Sequence, residues 1–228
     1  MRVSDLDIEN IASRLIVTVG NYNINKDDLI SYPYVVKGDI VILCDLCIGE
    51  KNKDGLYTSC LTVTNELLNK WNINKEMLFS LAVSNGKEIL KPFVEELGLV
   101  TDNEFGMNFN YVITNKYHFN GASSVFYDYK LIEQIGENVL LVPASSNEIY
   151  ASTIPDDNKE DFINNVNDLY QEYREKTGAG LTASVLLYNK SEGSIVKDID
   201  GNTFNLNLKS SIENENIFNK NISHSLGK

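Results

Sequence analysis

The chain has 228 residues and carries 20 Lys and Arg against 32 Asp and Glu, a formal net charge of −12. With 43% hydrophobic and 23% charged residues, it can bury one good core or two small ones, which excludes a disordered chain, a collagen-like chain and a cysteine-rich secreted scaffold. The acidic balance also argues against a nonspecific grip on nucleic acid, because displacing counterions from phosphates takes clustered Lys and Arg.

No secretory leader is expected at the start of the chain. Met1 to Ser13 mixes Asp5, Asp7 and Glu9 with Leu6, Ile8 and Ile11, so it lacks the basic head and unbroken apolar run of a secretory leader. No apolar run is long enough to predict a membrane helix. A cytoplasmic protein is expected. Cys44, Cys47 and Cys60 lie in apolar, strand-like surroundings, and reduced, buried thiols are expected. The 29 asparagines are spread over every kind of segment and point to an AT-rich coding sequence.

Residues 14–20 and 39–48 read as strands, rich in β-branched and apolar residues. A loop ending in Asp54-Gly55 predicts a hairpin return through 56–63. Thr64 and Asn74 then offer caps for two helices. Met77, Leu78, Leu81 and Ala82 share one face of the second, and Asn85-Gly86 predicts its end. A third helix is expected over Glu88 to Leu97, starting or bending at Pro92. Residues 99–106 read as a connector.

Strands are expected at 108–114 and 121–127, and a short helix at 129–135. Val139 to Val142 reads as a buried strand, broken by Pro143-Ala144-Ser145-Ser146, with 147–153 returning. The longest helix is expected over 157–176, with Phe162, Ile163, Val166, Leu169, Tyr170 and Tyr173 as its stripe and Gly178 as its stop. Strand 181–189 and a hairpin through Ser191-Glu192-Gly193 into 194–199 follow. Paired strands with grouped helices predict an α+β fold of mainly antiparallel pairs. One continuous domain is expected over 1–202, with lobes at about 1–100 and 107–200. Residues 203–228 are polar and read as a mobile tail.

Chemistry is sparse. Cys44-Asp45-Leu46-Cys47 has Cys-x-x-Cys spacing, but on a strand the two thiols point to opposite faces, and a thioredoxin-type site needs a helix N-terminus. Cys60 could join from the facing strand, yet neither His lies nearby in sequence, so no metal site is expected. His118 falls in a turn and His224 in the tail. Gly178-Ala179-Gly180 follows a helix and precedes a strand, the reverse of a dinucleotide fingerprint, and no cofactor is expected. Asp198 to Asn202 starts like a calcium loop but has its glycine two positions early. Trp71 reads as core.

The most suggestive segment is Pro143 to Glu148, where hydroxyls and a carboxylate sit at a sharp break after a buried strand. Ser145, Ser146 and Glu148 are the candidate catalytic residues, with His118 as an aid.

Two stretches carry a resemblance. The first runs from Leu61 to Ala82 and includes Thr64-Asn65-Glu66-Leu67-Leu68-Asn69-Lys70-Trp71, followed by Ser84-Asn85. The second includes Thr114-Asn115, Gly121-Ala122 and Pro143-Ala144-Ser145-Ser146-Asn147-Glu148. Over residues 14–200 the chain resembles a family of uncharacterised bacterial proteins, common in low-GC anaerobic gut bacteria and known only as a domain of unknown function. The resemblance implies a His before the Glu of the turn, where this chain has Asn147. It also implies a further N-terminal region and a bacterial or mobile-element context, but no reaction.

Three readings follow from the sequence. The first is a non-enzymatic module that binds a protein or small ligand, with no direct nucleic-acid or membrane contact. The second is a hydrolase or transferase centred on Ser145, Ser146 and Glu148. The third is an acidic inhibitor that occupies a basic nucleic-acid site on a partner. The tail holds three lysines, Lys209, Lys220 and Lys228, against Glu213 and Glu215, so the negative charge belongs to the body.

Overall fold

In the computed structural model, which describes residues 8–53, 55, 57–98 and 109–208, the β-branched runs of the first half pair into one antiparallel sheet. Helix α1 (Ile8–Ile11) leads into β1 (Leu15–Asn21). Helix α2 (Tyr22–Asn25) is capped by Asn21, whose side chain accepts from the amides of Asn23 and Ile24. Strands β2 (Val35–Lys37), β3 (Ile40–Lys51) and β4 (Tyr57–Thr62) complete the sheet. The long β3 is its spine, with β1 on one side and β2 and β4 in succession on the other.

Helices α3 (Asn65–Trp71) and α4 (Lys75–Leu90) start at the expected caps. Thr64 and Asn74 accept from the amides of Leu67 and Met77. The chain then builds a second sheet. It passes through β5 (Pro92–Glu96), β6 (Tyr111–Asn115), α5 (Lys130–Glu133), β7 (Asn138–Val142), β8 (Ile149–Thr153) and α6 (Lys159–Thr177). It closes with β9 (Leu186–Asn189), β10 (Ile195–Asp198) and β11 (Thr203–Asn205). The seven strands run β11-β10-β9-β7-β8-β6-β5, every pair antiparallel. The fold is α+β. No helix among the described residues is long and apolar enough to cross a membrane.

One apolar core joins the two sheets. Alternate residues of β1 and β3 (Val17, Val19, Ile42, Cys44) meet Leu78, Phe79 and Ala82 of α4 and Ile113, Leu141, Tyr188 and Val196 of the second sheet. Trp71 is buried in it as expected. The other face of the second sheet packs Leu140 and Val142 against Ile163, Val166, Tyr170 and Tyr173 of α6. On the other face of the first sheet, Ile16, Cys47 and Leu90 form a small cluster with Cys60 and Phe119.

Several expected elements are corrected by tertiary contacts. Asn85-Gly86 does not end α4. The Asn85 amide instead donates to the carbonyls of Ala12 (2.6 Å) and Leu15 (3.0 Å), and Gly86 leaves room for the Tyr127 ring. Left-handed Lys91, φ 51°, makes the stop. The expected third helix is the end of α4 followed by strand β5, because Pro92 starts an edge strand that asks no donor of it. The expected strand 121–127 is a buried 3-10 helix, Gly121–Phe126. Within the expected strand 181–189, only Leu186–Asn189 pairs. Residues before it bond to other elements, Leu181 N–H to the Pro143 carbonyl and Ala183 N–H to Asp39.

Met77 is half exposed, so the inward face of α4 runs through Leu78, Phe79, Ala82 and Val83. At the head of the expected tail, β11 pairs with β10, and Leu206 and Leu208 are buried. The connector 99–106, Asp54 and residues 209–228 with His224 lie outside the described residues.

Candidate functional site

The turn Pro143 to Glu148 joins β7 to β8, and β8 pairs with β6 at Ile113↔Ile149. That register sets the turn beside the segment leaving β6. Thr114 Oγ1 donates to the Asn147 carbonyl at 3.0 Å. The Asn120 amide donates to Asn147 Oδ1 at 3.2 Å, and the Ala122 amide to the Ser146 carbonyl at 3.1 Å. Gly121 is required at this contact, since a Cβ would overlap the Asn147 carbonyl oxygen and lie 2.8 Å from Thr114 Cα. Thr114-Asn115, Gly121-Ala122 and Ser145 to Glu148 therefore form one bonded clasp.

The candidate residues occupy this clasp unequally. Ser145 Oγ accepts the Asn147 amide at 3.1 Å, an ordinary hydroxyl-capped turn. Glu148 Oε1 accepts the Tyr150 hydroxyl at 2.9 Å. Ser145, Ser146 and Glu148 are half-buried. His118 sits at φ 48° in the exposed turn after β6, its amide donating to the Asn115 carbonyl. Among the described residues, no hydrogen bond joins His118 to Ser145, Ser146 or Glu148.

The clasp continues into the first sheet through Asn120, a buried residue in the left-handed conformation. Its Oδ1 accepts from Thr18 Oγ1 of β1 at 3.0 Å. Asp45 of β3, only 9% exposed, is set between Ile16 and Thr62 in the register of its neighbours. Burial raises the Asp45 pKa, against the smaller opposing pull of Thr62 and Asn120. Asp45 Oδ1 and Asn120 Nδ2 carry no hydrogen bond, nor do Ser124 Oγ and the Tyr127 hydroxyl nearby in the chain. A buried carboxylate facing the polar side chains of Thr62 and Asn120 is the least expected feature of the sheet. Its sequence signal is the single charge inside the apolar run Ile40 to Ile48.

Asp198 to Asn202 is a plain turn, in which Asn202 donates twice to the Asp198 carboxylate at 2.8 Å. Among the described residues, no three His, Cys, Asp or Glu side chains converge to hold a metal ion. Cys44 points into the shared core, whereas Cys47 points to the opposite face beside Cys60.

The model of a family of unknown function (DUF5688) matches residues 2–190. No curated protein matches the chain, and no solved structure does.

Proposed function

We propose that this chain, which belongs to the family of unknown function DUF5688, is a binding module and not an enzyme. The observation that carries the reading is that most polar groups of the Pro143 to Glu148 turn are bonded within the protein. Its hydroxyl at Ser145, its carboxylate at Glu148, its carbonyls at Ser146 and Asn147 and the Asn147 amide oxygen all bond within the protein. A nucleophile needs a base within hydrogen-bond reach, and Ser145 instead receives a backbone amide. Three free thiols suit a reducing compartment, in keeping with a cytoplasmic role in a bacterium or a mobile element.

Exposed apolar groups offer a surface for a partner. A cleft of about 560 Å³ is lined by Tyr32, Tyr34, Val36, Leu68 and Lys75. Ile30, 86% exposed, bonds through its carbonyl to Asn65 on the cleft wall. The test is a pulldown from the native host with wild type, I30D and the triple variant S145A/S146A/E148Q. Capture should survive the triple variant and fail with I30D. A catalytic turnover that the triple variant abolishes would replace this reading with the hydrolase or transferase.

A second reading has its own support. Residues 156–177 carry seven carboxylates (Asp156, Asp157, Glu160, Asp161, Asp168, Glu172, Glu175) against Lys159, Arg174 and Lys176. All seven carboxylates are on exposed residues. Such a face suits a basic partner site of the kind that binds nucleic acid. Capture that fades as salt rises from about 0.05 to 0.5 M favours it, and salt-insensitive capture removes it.

A further inference from the structure

Cys47 and Cys60 stand directly opposite each other in the β3–β4 ladder, and their sulfurs are 3.4 Å apart. Opposed residues of an antiparallel pair have Cα atoms about 4.5–5.5 Å apart, inside the roughly 4.4–6.8 Å that a disulfide spans. Closing the bond to about 2.05 Å therefore takes side-chain rotation, with the strand positions already suitable. The ladder shifts register between Ile48 and Lys51, next to Cys47, which gives the hairpin local slack.

The two thiols are not equivalent. Cys47 is buried with Ile16 and Leu90, while Cys60 is half-buried and reachable. Hydrogen bonding between the sulfurs favours a thiolate on Cys60 and holds Cys47 protonated. The Tyr57 ring packs against the cluster of Ile16, Cys47 and Leu90, and it carries Arg14 at 5.3 Å and Lys51 at 5.0 Å from its centroid. Arg14 slightly eases ionisation of Cys47, and Asp45 opposes a thiolate on either sulfur, so the preference for Cys60 comes from the bond between the sulfurs and its exposure. Cys44 has neither advantage. It lies in the shared core, where burial pushes its thiol pKa up.

We infer that Cys47 and Cys60 form a reversible dithiol–disulfide centre that a hydroperoxide closes. The Cys60 thiolate attacks the outer oxygen of the hydroperoxide. An S–O bond forms, the O–O bond breaks, and the departing alkoxide or hydroxide takes up the proton that Cys60 released. Cys47 sulfur then attacks the Cys60 sulfenic acid. The S–S bond forms, the S–O bond breaks, and hydroxide leaves with the Cys47 proton as water. Two thiols give up two electrons, and these reduce the O–O bond. The centre operates whichever partner the module binds.

The test treats the full-length reduced protein with hydrogen peroxide and reads intact mass and free thiols. Wild type should lose about 2 Da and two of its three thiols, retain Cys44, and recover both thiols with dithiothreitol. C47S should stop at a Cys60 sulfenic acid that dimedone traps. C60S should consume peroxide at least about tenfold more slowly. Cys60 is half-buried, so C60S decides the matter even if C47S fails to fold. Stepwise oxygen addition to wild-type Cys60 without loss of the Cys47 thiol would overturn the inference. So would cross-linking between chains in place of an internal bond, or peroxide consumption by C60S at the wild-type rate.

Discussion

Thr18 and Asn120, 102 positions apart, are joined by a hydrogen bond of 3.0 Å from the threonine hydroxyl to the asparagine amide oxygen. Thr18 belongs to the first sheet, and Asn120 caps the 3-10 helix that follows β6 of the second. Asn120 also donates its backbone amide to Asn147, so one residue ties the turn to both sheets.

Asn120→Ala should cost about 1–3 kcal/mol, because it strands the half-buried Thr18 hydroxyl and places a Cβ-bearing residue without a helpful amide at φ 52°. Asn120→Gly should cost less than Asn120→Ala, since glycine adopts that conformation freely. Chemical denaturation of the two variants beside wild type measures the order, and equal costs would remove the backbone part of the argument.

Position 147 needs an acceptor, which Asn147 supplies through Oδ1. A neutral imidazole nitrogen can accept the same backbone proton. Asn147→His should therefore stay within about 1 kcal/mol of wild type, whereas Asn147→Ala should lose about 1–2 kcal/mol. Thermal melts at pH 8, where the imidazole is neutral, distinguish the two.

Gly121→Ala should be the most damaging single methyl in the clasp. The added carbon meets backbone on both sides, Thr114 Cα and the Asn147 carbonyl, and neither can swing away as a side-chain tip would. A loss above about 3 kcal/mol is expected. A soluble variant with an unchanged melting point would refute the contact.

Asp45 sets a pH dependence. Its folded pKa lies above its unfolded value, because burial opposes the charge. The folded state then binds the proton more tightly, so this group's contribution to stability is present at low pH and is lost as pH rises from the unfolded pKa through the raised folded one. Asp45→Asn should stabilise the protein at pH 7, by about 2–4 °C in Tm for each kcal/mol relieved, and bring little gain below pH 4. Melting curves of both proteins from pH 3.5 to 8 read it, and parallel curves would sink the assignment.

Local chemistry in the sequence reached some of this. Thr64, Asn74 and Gly178 work as the caps and stop that their residue types announce, because capping involves only neighbouring backbone. Asn85-Gly86 shows the opposite case. The same dipeptide chemistry reads as a stop, but the amide is used by Ala12 and Leu15, more than 70 positions away in the first case. The run Gly121 to Phe126, with Ser123 and Ser124 inside it, is buried throughout, and periodicity alone does not distinguish a short buried strand from a helix.

The turn at Pro143 was visible as a sharp break, yet its partners were not. Thr114, Asn120 and Ala122 reach it only because β6 and β8 pair, and that pairing is set by the whole sheet. Asp45 was hidden for a related reason. A charge in an apolar strand signals something, but Asn120 and Thr62 are what make it a buried polar cluster. The Cys47–Cys60 pair depended on hairpin register, which a shift at Ile48/Lys51 leaves open from sequence.

The apolar core shared by the two sheets has a consequence for how the protein comes apart. The inward faces of β1 and β3 and those of β7 and β9 contribute to the same interior, with α4 wedged among them. The second sheet keeps a separate cluster against α6, but its inward face would be bared if the first sheet melted. Loss of either exposes Tyr188, Phe79 and Val17 together, so heating should give one calorimetric transition, with van't Hoff and calorimetric enthalpies in agreement.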